Sequence, residues 1–246
     1  MTTTRNTYWG SRLILKNKRI NHNLEQQAQA LFKSWFIDYE PFRDGEFVDS
    51  ELGRIPKGWQ ICFLGDIMTE SREKVGNRKD IKVLSPIANG NLILSEEYFT
   101  KRVYSESLKD YLIVRPYCFA YNPARINIGS IGMNENDFDG CVSPVYVVIY
   151  SQLHYEYFFD LFRRTDKFKE EVIARSIGGV RQTLGFKDFS LIKIVYPPLN
   201  VIINFNEIYR NILDSTQQNI LEIDKLSTIR DSLLPKLMSG EITIKD

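Results

Sequence analysis

Two stretches of this 246-residue chain carry the same helical spacing, and together they bracket everything between them. Residues 24–36, LEQQAQALFKSWF, lie over residues 226–238, LSTIRDSLLPKLM. In that alignment Leu24, Leu31, Phe32, Trp35 and Phe36 fall on Leu226, Leu233, Leu234, Leu237 and Met238. Such a repeat constrains architecture more than any short motif does, because each copy has one apolar face that it cannot bury alone. The block between the copies has no such spacing. The chain therefore reads as a helix, a globular domain and a matching helix.

Taken in order, residues 1–12 are polar and aperiodic, which predicts a poorly ordered lead-in. Residues 13–40 hold the first helix, with apolar positions recurring at three, four and seven. Pro41 stops it, since proline lacks an N–H and biases the residue before it away from the helix. Residues 41–58 form a linker rich in turn formers, including Asp44-Gly45 and Pro56-Lys57-Gly58. In residues 59–198 the period shortens. Runs of β-branched and aromatic residues at 81–84, 111–114, 145–150 and 191–196 predict short strands, interrupted by one helix over 155–173. The fold class is α+β, with a mixed, largely antiparallel sheet.

Residues 199–246 hold the second helix and a tail. Its expected start is Asn204, with Glu207 completing a capping box. Pro235 should kink or end it, and Ser239-Gly240 closes it. A helix from 204 to 234 would span about 45 Å at about 1.5 Å per residue. That exceeds the roughly 34 Å of one B-DNA turn, enough to hold two bodies a turn apart. The stripe is narrow and long, which suits a helix-on-helix seam. Leu24, Leu31, Phe32, Trp35 and Phe36 would line it on one side, and Ile223, Leu226, Leu233 and Leu237 on the other. Two amphipathic helices that merely cover the domain's core are the plainer alternative.

Charge and cysteine usage remove several function classes. With 32 Lys+Arg against 31 Asp+Glu the net charge is +1, so no global basic field announces nucleic acid, although a local patch remains open. Cys62, Cys118 and Cys141 are scattered and odd in number, the usage of a reduced, cytoplasmic protein. No apolar run approaches about 18 residues, so no membrane partner is expected. The opening MTTTRNTYWGSR has no apolar signal core.

No catalytic constellation emerges. His22 and His154 have no ligand-type neighbours at metal spacing, and neither a phosphate loop nor a dinucleotide-binding glycine motif is present. Tyr121-Asn122-Pro123-Ala124 is only a partial match to the Asn-Pro-Pro-aromatic motif of amino-methyltransferases. The second proline and the aromatic are absent. Asp66 with Asp80-Ile81-Lys82 imitates the acid and acid-x-Lys layout of metal-dependent nucleases, a spacing that chance produces readily.

Two stretches have the chemistry of a reading surface. Residues 121–132, YNPARINIGSIG, carry Asn122, Arg125, Asn127 and Ser130 among glycines and a proline. Residues 175–184, RSIGGVRQTL, carry Arg175, Arg181, Gln182 and Thr183 around Gly178-Gly179. Arginine forks onto guanine O6 and N7, and Asn or Gln pairs with adenine N6 and N7. Glycine lets backbone amides approach phosphates. An ordinary solvated glycine-rich loop has the same composition, so residue type leaves both readings open.

LEQQAQALFKSWFIDYEPF, FVDSELGRIPKGWQ and LSTIRDSLLPKLMSGEI resemble the repeat regions of the specificity subunit of type I restriction–modification enzymes. GGVRQTL and IVYPPL resemble the end of its target-recognition domain. The resemblance runs from about residue 16 to residue 242. It implies a non-catalytic, cytoplasmic DNA reader whose target-recognition domain binds half of a bipartite site in double-stranded DNA. It implies that the two helices form an antiparallel coiled coil that sets spacing and docks methyltransferase (modification) subunits. S-adenosylmethionine, ATP and Mg2+ would serve those subunits and a restriction motor–nuclease subunit; none would be held by this chain. The family typically carries two target-recognition domains and only one is found here. A half-subunit, a silent cassette or a truncated gene would each read this way, with a second half-subunit or a second copy as partner. An alternative is a helical-hairpin protein that binds the methyltransferase without reading DNA.

Overall fold

The computed structural model describes residues 3–100, 104–176 and 183–242. Helix α1 (Thr3–Phe36) opens the chain and a 3-10 turn, Glu40–Phe42, follows it. Then come β1 (Phe47–Ser50), β2 (Gly53–Pro56), β3 (Gln60–Phe63), the one-turn helix α2 (Leu64–Ile67) and β4 (Met68–Ser71). The middle of the chain holds β5 (Lys82–Pro86), β6 (Leu92–Leu94), α3 (Ser95–Tyr98), β7 (Leu112–Val114), β8 (Phe119–Tyr121), β9 (Ile131–Met133), β10 (Gly140–Val142) and β11 (Val147–Ser151). It closes with α4 (Glu156–Phe162), α5 (Asp166–Arg175), α6 (Phe186–Phe189), β12 (Lys193–Tyr196) and α7 (Leu199–Met238). Two compact units result: Met1–Asp38 with Ile203–Asp246, and Tyr39–Ile202.

In the helical unit α1 and α7 run antiparallel. Asn17 Nδ2 donates to Glu222 Oε2 at 2.9 Å and Asn219 Nδ2 donates to Asn21 Oδ1 at 2.8 Å, so partners on α7 fall as positions on α1 rise. At one end an aromatic cluster closes the pair. The Phe205 ring lies 4.8 Å from Phe36 and 5.7 Å from Trp35, and it stacks on Tyr209 at 5.9 Å. Burying such side chains contributes roughly 1.5–3 kcal/mol each, and the edge-to-face pairs about 0.5–1.5 kcal/mol more.

Several helix boundaries differ from expectation. Helix α1 begins at Thr3, so the polar residues there continue the helix where a disordered lead-in was expected. Helix α7 begins at Leu199, five residues before Asn204, because the Pro198 carbonyl already accepts the N–H groups of Val201 and Ile202. Pro235 neither ends nor breaks α7. It forfeits one backbone bond near the exposed C-terminal end, where Ser239 N–H still donates to the Pro235 carbonyl at 2.9 Å. The seam also differs in membership. Phe32 and Phe36 are buried and Leu24, Leu31, Trp35, Ile223, Leu226 and Leu237 half-buried, whereas Leu233 is 41% exposed. A two-helix pair covers only one stripe of each helix, and Ile229, Leu233 and Leu234 lie off it.

In the second unit, β5, β6, β7 and β10 form a sheet in the order β6-β5-β10-β7, and β4, β8, β9 and β11 one in the order β4-β11-β8-β9. All pairings are antiparallel except β10 with β5. The period of two sorts side chains to opposite faces. Leu84, Leu112, Val114 and Val142 join Ala120 and Val148 of the other sheet in one core, while Val83, Ile113 and Cys141 enter a second with Val75 and Tyr111. The first sheet is thus buried on both faces. Two-stranded pairs β1-β2 and β12-β3 complete the unit.

The single helix expected over 155–173 is two helices. Thr165 divides them: its hydroxyl donates to the Phe162 carbonyl at 2.7 Å, ending α4, and accepts the Phe168 N–H at 3.3 Å, capping α5. Helix α4 carries a buried ion pair. Arg163 Nε donates to Asp160 Oδ1 at 2.9 Å and Arg163 Nη1 donates to the Ile131 carbonyl at 3.0 Å, tying α4 to β9.

Candidate nucleic-acid interface

The loop after β8 is built to keep one shape. Tyr121 is fully buried and stacks on Phe189 at 5.4 Å, which anchors the entry. Asn122 Oδ1 accepts the Ala124 N–H at 3.0 Å, and the Asn122 carbonyl accepts Arg125 N–H at 2.9 Å, turning the chain at Pro123. A 3-10 turn, Ile126–Ile128, follows with Ile126 buried beneath it. Gly129 ends the turn at φ +89°, and a Cβ there would sit 2.6 Å from the Ala88 carbonyl oxygen, so only glycine fits. Asn122 N–H then donates back to the Ser130 carbonyl at 3.0 Å, closing the loop.

This closure assigns different roles to the predicted residues. Ser130 is buried, and its hydroxyl donates to the Pro86 carbonyl at 2.8 Å, so it fastens the loop to β5. The Asn122 side chain is half-buried and hydrogen-bonded to the turn, and Asn122 lies opposite Tyr146 at the end of the β8-β11 pairing. Arg125 is exposed and forms no ion pair among the described residues. Asn127 is half-buried on the 3-10 turn.

The second predicted stretch arrives at the same place. Helix α5 packs against the turn Ile126–Ile128, and Leu184 N–H donates to the Pro123 carbonyl at 3.0 Å. Arg175, on the last turn of α5, is half-buried and paired with Glu171 at 3.1 Å. Thr183 is exposed. Arg181 and Gln182 lie outside the described residues.

Sequence reasoning missed the turn at 143–146, where strand β11 was expected to begin. Tyr146 N–H donates to the Ser143 carbonyl at 3.0 Å, which makes residues 143–146 a turn and delays the strand to Val147. The Ser143-Pro144 pair was the available signal. Burial pushes the Tyr146 phenol above its ordinary value, against the opposing pull of Arg125 and Asn122, so it stays a neutral hydroxyl near pH 7. Two aliphatic side chains are left in solvent on these turns, Ile128 at 55% and Val145 at 71% exposure.

Elsewhere the candidate chemistry is occupied by structure. Asp66 Oδ2 accepts the Phe63 N–H at 2.8 Å, and the Lys82 ammonium lies 4.6 Å over the Phe138 ring. Among the described residues no group of three or more His, Cys, Asp or Glu is placed to hold a metal ion. Burial pushes the Cys62 thiol up to about 11 and the Cys141 thiol to about 12, so neither is a thiolate nucleophile at neutral pH. A groove of about 310 Å³ is lined by Ile81, Val83 and Leu94 with Lys82, Glu96 and Glu97, a net negative lining that does not suit a phosphate backbone. No helix among the described residues is long and apolar enough to cross a membrane.

No family model matches the chain. It is 29% identical over 95% of its length to the type I restriction enzyme MjaIX specificity subunit of Methanocaldococcus jannaschii, covering 56% of that protein. It is 22% identical over 92% of its length to the HindI specificity subunit of Haemophilus influenzae, covering 63%. The chain thus spans little more than half the length of these relatives. Among solved structures, the type I restriction–modification S subunit from M. genitalium matches 96% of the chain and 57% of its own, with a TM-score of 0.50 and 15% identity, a likeness of fold alone.

Proposed function

From its homology to the specificity subunits of type I restriction enzymes, we propose that this chain reads one half of a bipartite DNA site with the stretches 121–132, 143–146 and 175–184. The observation that carries the reading is the convergence of the first and last of these stretches, through the Leu184 to Pro123 hydrogen bond, beside the exposed Arg125. An exposed cation with no ion pair among the described residues, on a turn held by several backbone hydrogen bonds, can meet guanine or phosphate without first breaking an ion pair. The alternative of a helical hairpin with no DNA role leaves that convergence without a purpose and is not favoured.

The paired helices dock methyltransferase subunits, and a motor–nuclease subunit joins the same assembly in the cytoplasm. Their apolar residues outside the seam, among them Leu15 at 61% and Leu221 at 59% exposure, supply surface for such contacts. Methyl transfer from S-adenosylmethionine and Mg2+- and ATP-dependent cleavage belong to those subunits. A second copy or another half-subunit contributes the other half of the site. Co-expression with the methyltransferase subunit and genome-wide mapping of methylated adenines tests this. A two-part methylated motif should appear only with the chain present, and Arg125→Ala should change or erase its one half. Methylation independent of the chain sinks the reading.

A further inference from the structure

Ile128, on the loop after β8, and Val145, on the turn before β11, are exposed aliphatic residues that DNA reading by hydrogen bonds does not use. Single exposed aliphatics are common on protein surfaces and by themselves mean little. These two differ in how they are held. Ile128 closes the 3-10 turn whose next residue, Gly129, admits no side chain, and Ile128 N–H donates to the Arg125 carbonyl at 3.1 Å. Val145 sits in the turn closed by Tyr146 N–H, and the pairing of Val147 with Tyr121 brings that turn beside the one that starts at Asn122. Both side chains are β-branched and stiff at χ1, so little rotamer freedom is lost when a partner covers them. The two turns thus lie at the same end of β11 and β8, and the exposed Arg125 on the first turn is close enough to Tyr146 to act on its phenol.

We propose that Ile128 and Val145 form an apolar reading edge for the 5-methyl groups of thymine in the major groove. The proposal rests on the DNA reading above and deepens it. The thymine methyl is the apolar mark on the major-groove edge of a base pair, and aliphatic contact is the chemistry that recognises it. Arg125 supplies the complementary charge toward the backbone or a neighbouring guanine. The face therefore distinguishes T·A from C·G by apolar contact as well as by hydrogen bonding.

The test uses the full chain, alone and with methyltransferase subunit added, to select from a randomised duplex library. Each thymine of the enriched sequence is then replaced by deoxyuridine, which removes the methyl and nothing else. One or two positions should lose about four-fold in affinity, the equivalent of roughly 0.8 kcal/mol for one buried methyl-sized group. Ile128→Ala and Val145→Ala should each abolish the loss at one thymine and leave the melting temperature unchanged, since both side chains are exposed. Deoxyuridine silent at every thymine, an enriched sequence without thymine, or a penalty that survives in the double variant overturns the methyl reading while DNA recognition stands. No enriched sequence under either condition overturns the DNA reading, and this inference falls with it.

Discussion

Arg125 and Ser130 sit five positions apart in one loop and have opposite relations to solvent. Arg125 is exposed; Ser130 is buried, its hydroxyl bonded to the carbonyl of Pro86, 44 positions away. Residue type singled out both as donors suited to base edges. It could not separate them, because the acceptor that claims Ser130 comes from a strand that only the fold brings near. The two should therefore separate in experiment. Arg125→Ala should weaken binding to the recognised half-site by about 1–3 kcal/mol with no change in thermal stability. Ser130→Ala should cost on the order of 1 kcal/mol of folding stability through its lost buried hydrogen bond and leave sequence preference untouched. Anisotropy titrations at matched salt, beside melting curves, check both. The assignment is wrong if Ser130→Ala alters the preferred sequence or Arg125→Ala leaves binding intact.

At the scale of elements, the amphipathic helices and their pairing were legible because the apolar period is local, while their ends and the polar contacts along the seam were not. The seam is fixed by polar partners, Asn17 with Glu222 and Asn21 with Asn219, which an apolar spacing rule passes over. The break at Thr165 was missed because the apolar period continues across it, whereas a hydroxyl that ends one helix and caps the next decides the matter. The tie between α4 and β9 was equally invisible, since it runs through Arg163, a residue type seldom buried. Burial draws the Arg163 guanidinium below its ordinary value, with Asp160 opposing that pull. Arg163→Met should destabilise the unit containing β9 by about 1.5–3 kcal/mol, because it removes the buried bonds to Asp160 and to the Ile131 carbonyl and leaves the carboxylate to Arg164, 3.2 Å away. Adding Asp160→Asn should restore part of that loss. Urea unfolding of the single and double variants measures it, and additive losses would show that the pair is not coupled.

For the whole molecule, the order of helix, sheet domain and helix was readable from the repeat and the change of period. The parallel β5-β10 pairing was not, since nothing local specifies which distant strand a strand will meet. Charge is the other whole-molecule property. Cations and anions number 32 and 31, and many are spent on each other at the surface, as in Lys74 with Asp110 at 2.9 Å and Arg78 with Asp139 at 2.9 Å. A net charge of +1 leaves no global positive field to gather DNA from a distance, so affinity has to come from local cations such as Arg125. Each phosphate neutralised adds about 0.9 to the magnitude of the slope of log K against log salt. A chain of this charge balance should give a shallow slope, on the order of −2 to −5 between roughly 50 and 300 mM salt. Arg125→Ala then discriminates between its two possible contacts. A change of about one in the slope assigns Arg125 to a phosphate, and an unchanged slope with altered sequence preference assigns it to a base. The second outcome is expected, because the Arg125 fork matches guanine O6 and N7. A slope near −10 would mean that the DNA contact lies on some other, more basic surface.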